Sequence, residues 1–176
     1  VLTGAPFDDP DWWLLSNDQI RQARDAINKV AGSRRLMSHT VLTPGQAGWM
    51  DEVDRGIAEL KPDAWKCYTI GDPLSPSTKG TAWRLDDEKL VYPWYEKAMK
   101  SGIRNVCIHK GLLPLDYETS WPNVWKHATP DDVLNAAKDW PGRNIIIYHD
   151  AIRNFLEHPH HSPAQLVNSG HADWTS

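Results

Sequence analysis

Cysteine is scarce in this sequence: Cys67 and Cys107 are the two among 176 residues. Both sit inside apolar runs, "AWKCYTI" and "NVCIH". They read as buried reduced thiols rather than a disulfide, which suggests a cytoplasmic location. No apolar stretch approaches the ~20 residues of a membrane span, so no membrane partner is expected. Nothing at the start reads as a secretory leader. Acids and bases are interspersed, the net charge is -4, and no basic stripe exists. That excludes nucleic acid as an expected partner. There is no glycine-rich phosphate loop and no Gly-x-Ser-x-Gly nucleophile elbow. An initiator methionine is also missing. Val1 opens the chain, which is expected to be processed, trimmed or part of something longer.

What is present suits a globular α/β chain. Apolar residues make up 40%, enough for one sizeable core. Ten tryptophans supply large amphipathic surfaces for cores and clefts. "SNDQIRQARDAINKVAGS" predicts a helix, with Ser16 and Gln19 as a capping box. Ile20, Ala23, Ile27 and Val30 keep helical spacing, and Gly32 supplies the stop. "RRLMSHTVL" predicts a strand. "GWMDEVDRGIAEL" is helical, with Met50, Val53, Ile57 and Leu60 on one face. "AWKCYTI" is a second strand. "DDEKLVYPWYEKAMKSG" is helical, with Pro93 marking a kink or a fresh first turn. "IRNVCIHKG" is the third strand. Thr129-Pro130 opens a helix that runs to Trp140, and "RNIIIYH" is the fourth strand.

Helix and strand thus alternate four times. The order predicts a parallel sheet covered on both faces. An open doubly wound sheet and part of a (β/α)8 barrel both satisfy it. A full barrel usually needs ~250 residues, so four strands make about half of one. The expected organisation is a single α/β domain over 1–176, with 153–176 an irregular C-terminal segment.

Function in parallel α/β proteins collects at the carboxyl ends of strands. The first strand delivers His39. The second carries Lys66, with Tyr68 on the same face two residues later. The third ends at His109 and the fourth at His149. Imidazole titrates near neutrality and is a common zinc ligand. Two successive strand-end histidines therefore point to a metal site or an acid–base pair. Lys110, Arg84, Trp65 and Trp121 are candidates for holding an anionic or aromatic substrate, together with Tyr68 and His39. "HPHH", His158 to His161, lacks the helical spacing that aligns two ligands, and reads as a solvated loop.

"WRLDDEKLVYPWYEKAMKSGIRNVCIHKG" followed by "NIIIYHDAI" resembles the amidohydrolase-related family, the hydrolase and decarboxylase branch of the metal-dependent hydrolases. The likeness runs from about Ser16 to Ile152. It implies the central part of a TIM-type barrel, with His109 as the fifth-strand metal ligand. It makes His149 the sixth-strand residue that binds a second metal or handles the attacking water. Lys66 falls where binuclear relatives carry a bridging carboxylated lysine. The implied cofactor is a divalent ion, zinc first, then manganese or iron. The family's first-strand His-x-His and eighth-strand Asp have no counterpart here.

The resulting expectation is a metal-dependent hydrolase or decarboxylase acting on a small carboxylate or amide. His149 and Lys66 are its catalytic candidates, and His109 and His149 its metal ligands. The alternative is a non-catalytic or partner-dependent piece, completed by a homo-oligomer or by the missing part of the barrel.

Overall fold

The computed structural model of the chain describes residues 1–5, 14–71, 82–111 and 124–149. Four parallel strands form the sheet: β1 (His39–Leu42), β2 (Ala64–Tyr68), β3 (Asn105–His109) and β4 (Asn144–Tyr148). They lie side by side in chain order, 1-2-3-4. A doubly wound sheet reverses its strand order at a switch point. These four strands show no reversal. The sheet is open, and Leu2 adds a single parallel bridge to Ser38 beside β1.

Helix α1 (Asn17–Ala31) forms as its sequence dictates. Ser16 Oγ accepts from the Gln19 amide at 3.2 Å, and Gln19 Oε1 accepts from the Ser16 amide at 2.8 Å. Gly32 closes the helix at φ 62°. The apolar stripe does less than its spacing suggests: Ile20 is buried, but Ile27 and Val30 are exposed. Polar contacts anchor α1 instead. The Asn17 amide pairs with both the N–H and the C=O of Val41, mimicking a neighbouring strand. Arg24 donates to the carbonyls of Leu60 and Lys61.

Helix α2 (Trp49–Arg55) runs on into a π-helical turn (Gly56–Leu60). A Cβ on Gly56 would lie 2.7 Å from the Trp65 ring, so glycine is what lets the helix approach β2. Helix α3 (Tyr92–Ser101) has Pro93 in its first turn, so the proline starts the helix rather than kinking one. Helix α4 (Val133–Asp139) begins later than Thr129-Pro130 predicts. The reason lies in Asp132. Its carboxylate accepts from the Leu85 amide and from Lys110, and does not cap the helix.

The helices form one contiguous layer. Arg55 of α2 pairs with Asp18 of α1, Lys97 of α3 with Asp54 of α2, and Tyr92 of α3 with Asp139 of α4. Beneath them lies the core of Leu42, Val53, Trp65, Cys67, Trp94, Tyr95, Val106, Ile108 and Ala136. Strand residues alternate between faces, so these side chains define one face of the sheet. The expectation of helices on both faces is therefore corrected: among the described residues they cover one. None of these helices is long and apolar enough to cross a membrane.

Candidate active site

The opposite face is polar. Register aligns Val41 with Lys66, Cys107 and Ile146, and one step further Tyr68 with His109 and Tyr148. His39, opposite Ala64, shares that face two residues before Val41. A β-strand presents every second residue to each side. Residues 66 and 68, 107 and 109, and 146 and 148 therefore form a continuous patch.

The two strand-end histidines meet. His109 ends β3 and His149 follows β4, with ring centroids 4.6 Å apart. The His109 ring also stacks on Tyr68 at 4.8 Å, which fixes its plane. His149 has φ 64°, a left-handed conformation rare for a non-glycine residue. That turn carries its ring toward His109 rather than along the strand.

Lys66 lies deeper and is 1% exposed. Its Nζ sits 3.9 Å from the centroid of the Tyr68 ring and 4.7 Å from that of Tyr148. Its hydrogen bond is a long one, 3.5 Å to the Cys67 carbonyl. Burial brings the Lys66 pKa down to about 8, partly offset by Cys67 and Cys107. Burial, aided by the Lys66 charge, likewise holds His39 and His109 at about 4. At neutral pH both imidazoles are uncharged, the form that donates a lone pair to a metal.

A third group lies beside the lysine. Cys107 Sγ is 3.6 Å from His39 Nε2, and the Tyr148 hydroxyl is 3.5 Å from the same nitrogen. His39 Nδ1 is buried with no hydrogen-bond partner. Burial, then its hydrogen bond with Cys107, pushes the Tyr148 phenol up to about 12. Burial also raises the Cys107 thiol, which stays protonated.

The structure thus brings together His39, Lys66, Tyr68, His109 and His149. His39 opens β1 instead of ending it, so it joins the floor of the patch rather than its rim. Three other candidates lie elsewhere. Trp65 faces the helical core, is fully buried, and donates its indole N–H to the Ile103 carbonyl. Strand alternation separates it from Lys66. Lys110 is fully buried and pairs with Asp132 at 2.9 Å, so its charge is already neutralised inside the fold. Arg84 is exposed and bound to Asp86 at 2.8 Å. Trp65 thus lies on the other side of the sheet, and the charges of Lys110 and Arg84 are already taken up by Asp132 and Asp86. Trp121, "HPHH" and segment 153–176 lie outside the described residues.

Cys107 and Tyr148 were missed by the sequence reading. Alternation back from His109 identifies Cys107. Tyr148 needed the strand register, because in sequence it looks like the last residue of an apolar run. Both cysteines are free, as expected, and they point to opposite faces.

Among the described residues, no group of three His, Cys, Asp or Glu side chains is placed to hold a metal ion. His109 and His149 supply the chemistry of two donors. Comparison with protein-family models, with curated proteins and with solved structures returns no match. The amidohydrolase resemblance rests on the sequence motifs.

Proposed function

We propose that this face is the substrate face of a metal-dependent hydrolase or decarboxylase of the amidohydrolase type, and that the sheet is part of a TIM-type barrel. The observation that carries the reading is the meeting of His109 and His149 at adjacent strand ends. Helices on one face of a parallel sheet, with the histidine pair at the carboxyl end, also fit a barrel wall, whose chemistry collects at that end.

His109 and His149 would hold the ion, zinc first, then manganese or iron, and an ion of this kind needs further ligands beyond these two. When bound, such an ion lowers the pKa of water and polarises a carbonyl oxygen. Tyr68 keeps the His109 ring in its ligating plane. In a form of the site where His149 does not ligate, its imidazole, exposed at the end of the strand, would instead handle the proton of the attacking water. Lys66 stabilises negative charge that develops on the substrate. The resemblance gives Lys66 a second role, as a carboxylated bridging lysine. Two ring faces flank Nζ and attract a cation, and although burial lowers its pKa to about 8, the ammonium still predominates at neutral pH over the neutral amine that carboxylation requires.

A panel of small amides and carboxylic acids, assayed for hydrolysis and for carbon dioxide release, tests the proposal. Turnover by the zinc-loaded chain that disappears in His109→Ala supports it. Turnover unchanged after metal removal contradicts it.

A second reading has its own observation. Ile146 on β4 is 41% exposed, and β4 pairs with β3 alone among the described strands. An apolar free edge suits pairing with another chain or another part of the barrel. On this reading the chain acts only when completed by a partner. Light scattering that shows a stable oligomer, with activity confined to it, favours this version.

A further inference from the structure

We propose that Arg143 is the centre of a structural anion site: its buried guanidinium takes up one small monovalent anion, chloride or a like halide, as the chain folds. The site is separate from the proposed metal centre. Arg143 precedes β4, at the opposite end of that strand from His149. By alternation it shares the helix-facing side with Ile145 and Ile147, which pack against the core.

Buried charges are normally paired, as Lys110 is with Asp132 at 2.9 Å. Arg143 is 6% exposed, and its guanidinium carbon lies 3.8 Å from the centroid of the Tyr95 ring and 5.4 Å from that of Trp94. Nη2 donates to the Tyr95 carbonyl at 3.1 Å. Nε and Nη1 are buried without an acceptor, so most of the guanidinium donors are unmet. Burial lowers the Arg143 pKa to about 10, and the groups that offset this are Tyr95 and Cys67, neither of them a carboxylate. The charge therefore persists at neutral pH. Leaving it unpaired inside the fold is unfavourable, and an anion removes the penalty.

The surroundings add donors. The indole N–H groups of Trp94 and Trp140 are also buried and unpartnered. Both rings pack on Tyr95, with centroids 5.0 and 5.7 Å from its own. Trp140 is tied to Arg143 by the turn that enters β4, where the Arg143 amide donates to the Trp140 carbonyl at 3.0 Å. Three side chains around one tyrosine ring thus carry unmet N–H groups, and aromatic edges are positive as well. A water would satisfy donors but leave the charge in place. One monovalent anion does both. Phosphate would bring more negative charge than a single guanidinium offsets. No entry channel is needed, because an enclosed ion is taken up on folding and its binding adds to stability.

The test is a set of urea titrations of the full chain, with chloride replacing gluconate at constant ionic strength. Saturable stabilisation is expected, the unfolding constant falling roughly tenfold when chloride reaches ~10 times its dissociation constant. Bromide is expected to act as chloride does. Arg143→Met is expected to lose the chloride dependence, and His109→Ala to keep it. If Arg143→Met does not fold, Arg143→Lys decides: it keeps the charge, presents fewer donors, and is expected to bind chloride roughly threefold or more weakly. Chloride NMR line broadening, relieved by added bromide, reads the binding on the native wild type. Stability that ignores chloride, a response that never saturates, full chloride dependence in Arg143→Met, or unchanged chloride affinity in Arg143→Lys overturns the site.

Discussion

Cys107 Sγ and His39 Nε2 meet at 3.6 Å, joining the third strand to the start of the first. The contact buries an imidazole that resists protonation. His39 and His109 both titrate at about 4 in the folded chain, against 6.5 in the unfolded one. Between those values the unfolded state binds protons that the native state refuses. Stability therefore falls as pH drops from 6.5 toward 4. Urea midpoints measured at pH 7.5 and 5.0 should show the loss. His39→Gln should make the difference smaller, because one of the two depressed groups is gone.

The buried pair of Lys110 and Asp132 is a matter of stability rather than substrate binding. Lys110→Met alone leaves a buried carboxylate unpaired and should cost about 3–5 kcal/mol. The double variant Lys110→Met with Asp132→Asn keeps an acceptor for the Leu85 amide, now bonded to Asp132 at 2.8 Å, and removes both charges. It should recover most of that loss in a urea titration.

Gly56 marks where α2 comes closest to β2. Gly56→Ala places a methyl 2.7 Å from two carbons of the buried Trp65 ring. The ring is enclosed in the core and has little room to yield. The expected loss is about 1–3 kcal/mol by chemical denaturation, with the secondary structure retained in circular dichroism.

Both thiols should be slow to react. Cys67 is fully buried and Cys107 is 3% exposed, and burial raises both pKa values. Reactivity follows the thiolate. A thiol reagent at pH 7.5 should label neither in the native chain and both in urea. Rapid native labelling of Cys107 would show that the polar face opens.

The sequence was most legible where local chemistry decides structure. The Ser16 and Gln19 capping box, the Gly32 stop and all four strands follow from residues near one another. The strand-end positions of His109 and His149 were readable for the same reason. Other features depended on distant partners. Thr129-Pro130 looked like a helix start, but Lys110 and the Leu85 amide claim the Asp132 carboxylate just after it, and the helix begins at Val133. Lys110 looked available after a strand, but the turn at Gly111, φ 69°, sends the chain away. His39 looked like the end of a long strand, yet regular pairing begins there. The Asn17 amide occupies the edge beside Val41, which no local pattern announces. Cys107 lay within reach by alternation back from His109, but Tyr148 entered the site only through register, which pairs it with His109 across 39 residues.

The pairing of His109 with His149 is most directly tested by metal content. The purified chain is loaded with zinc, desalted, and analysed beside His109→Ala and His149→Ala. The expected result is about one ion per chain in the wild type and a clear loss in both variants. No retained zinc, manganese or iron in the wild type, or equal retention in both variants, would contradict a metal centre at these two histidines.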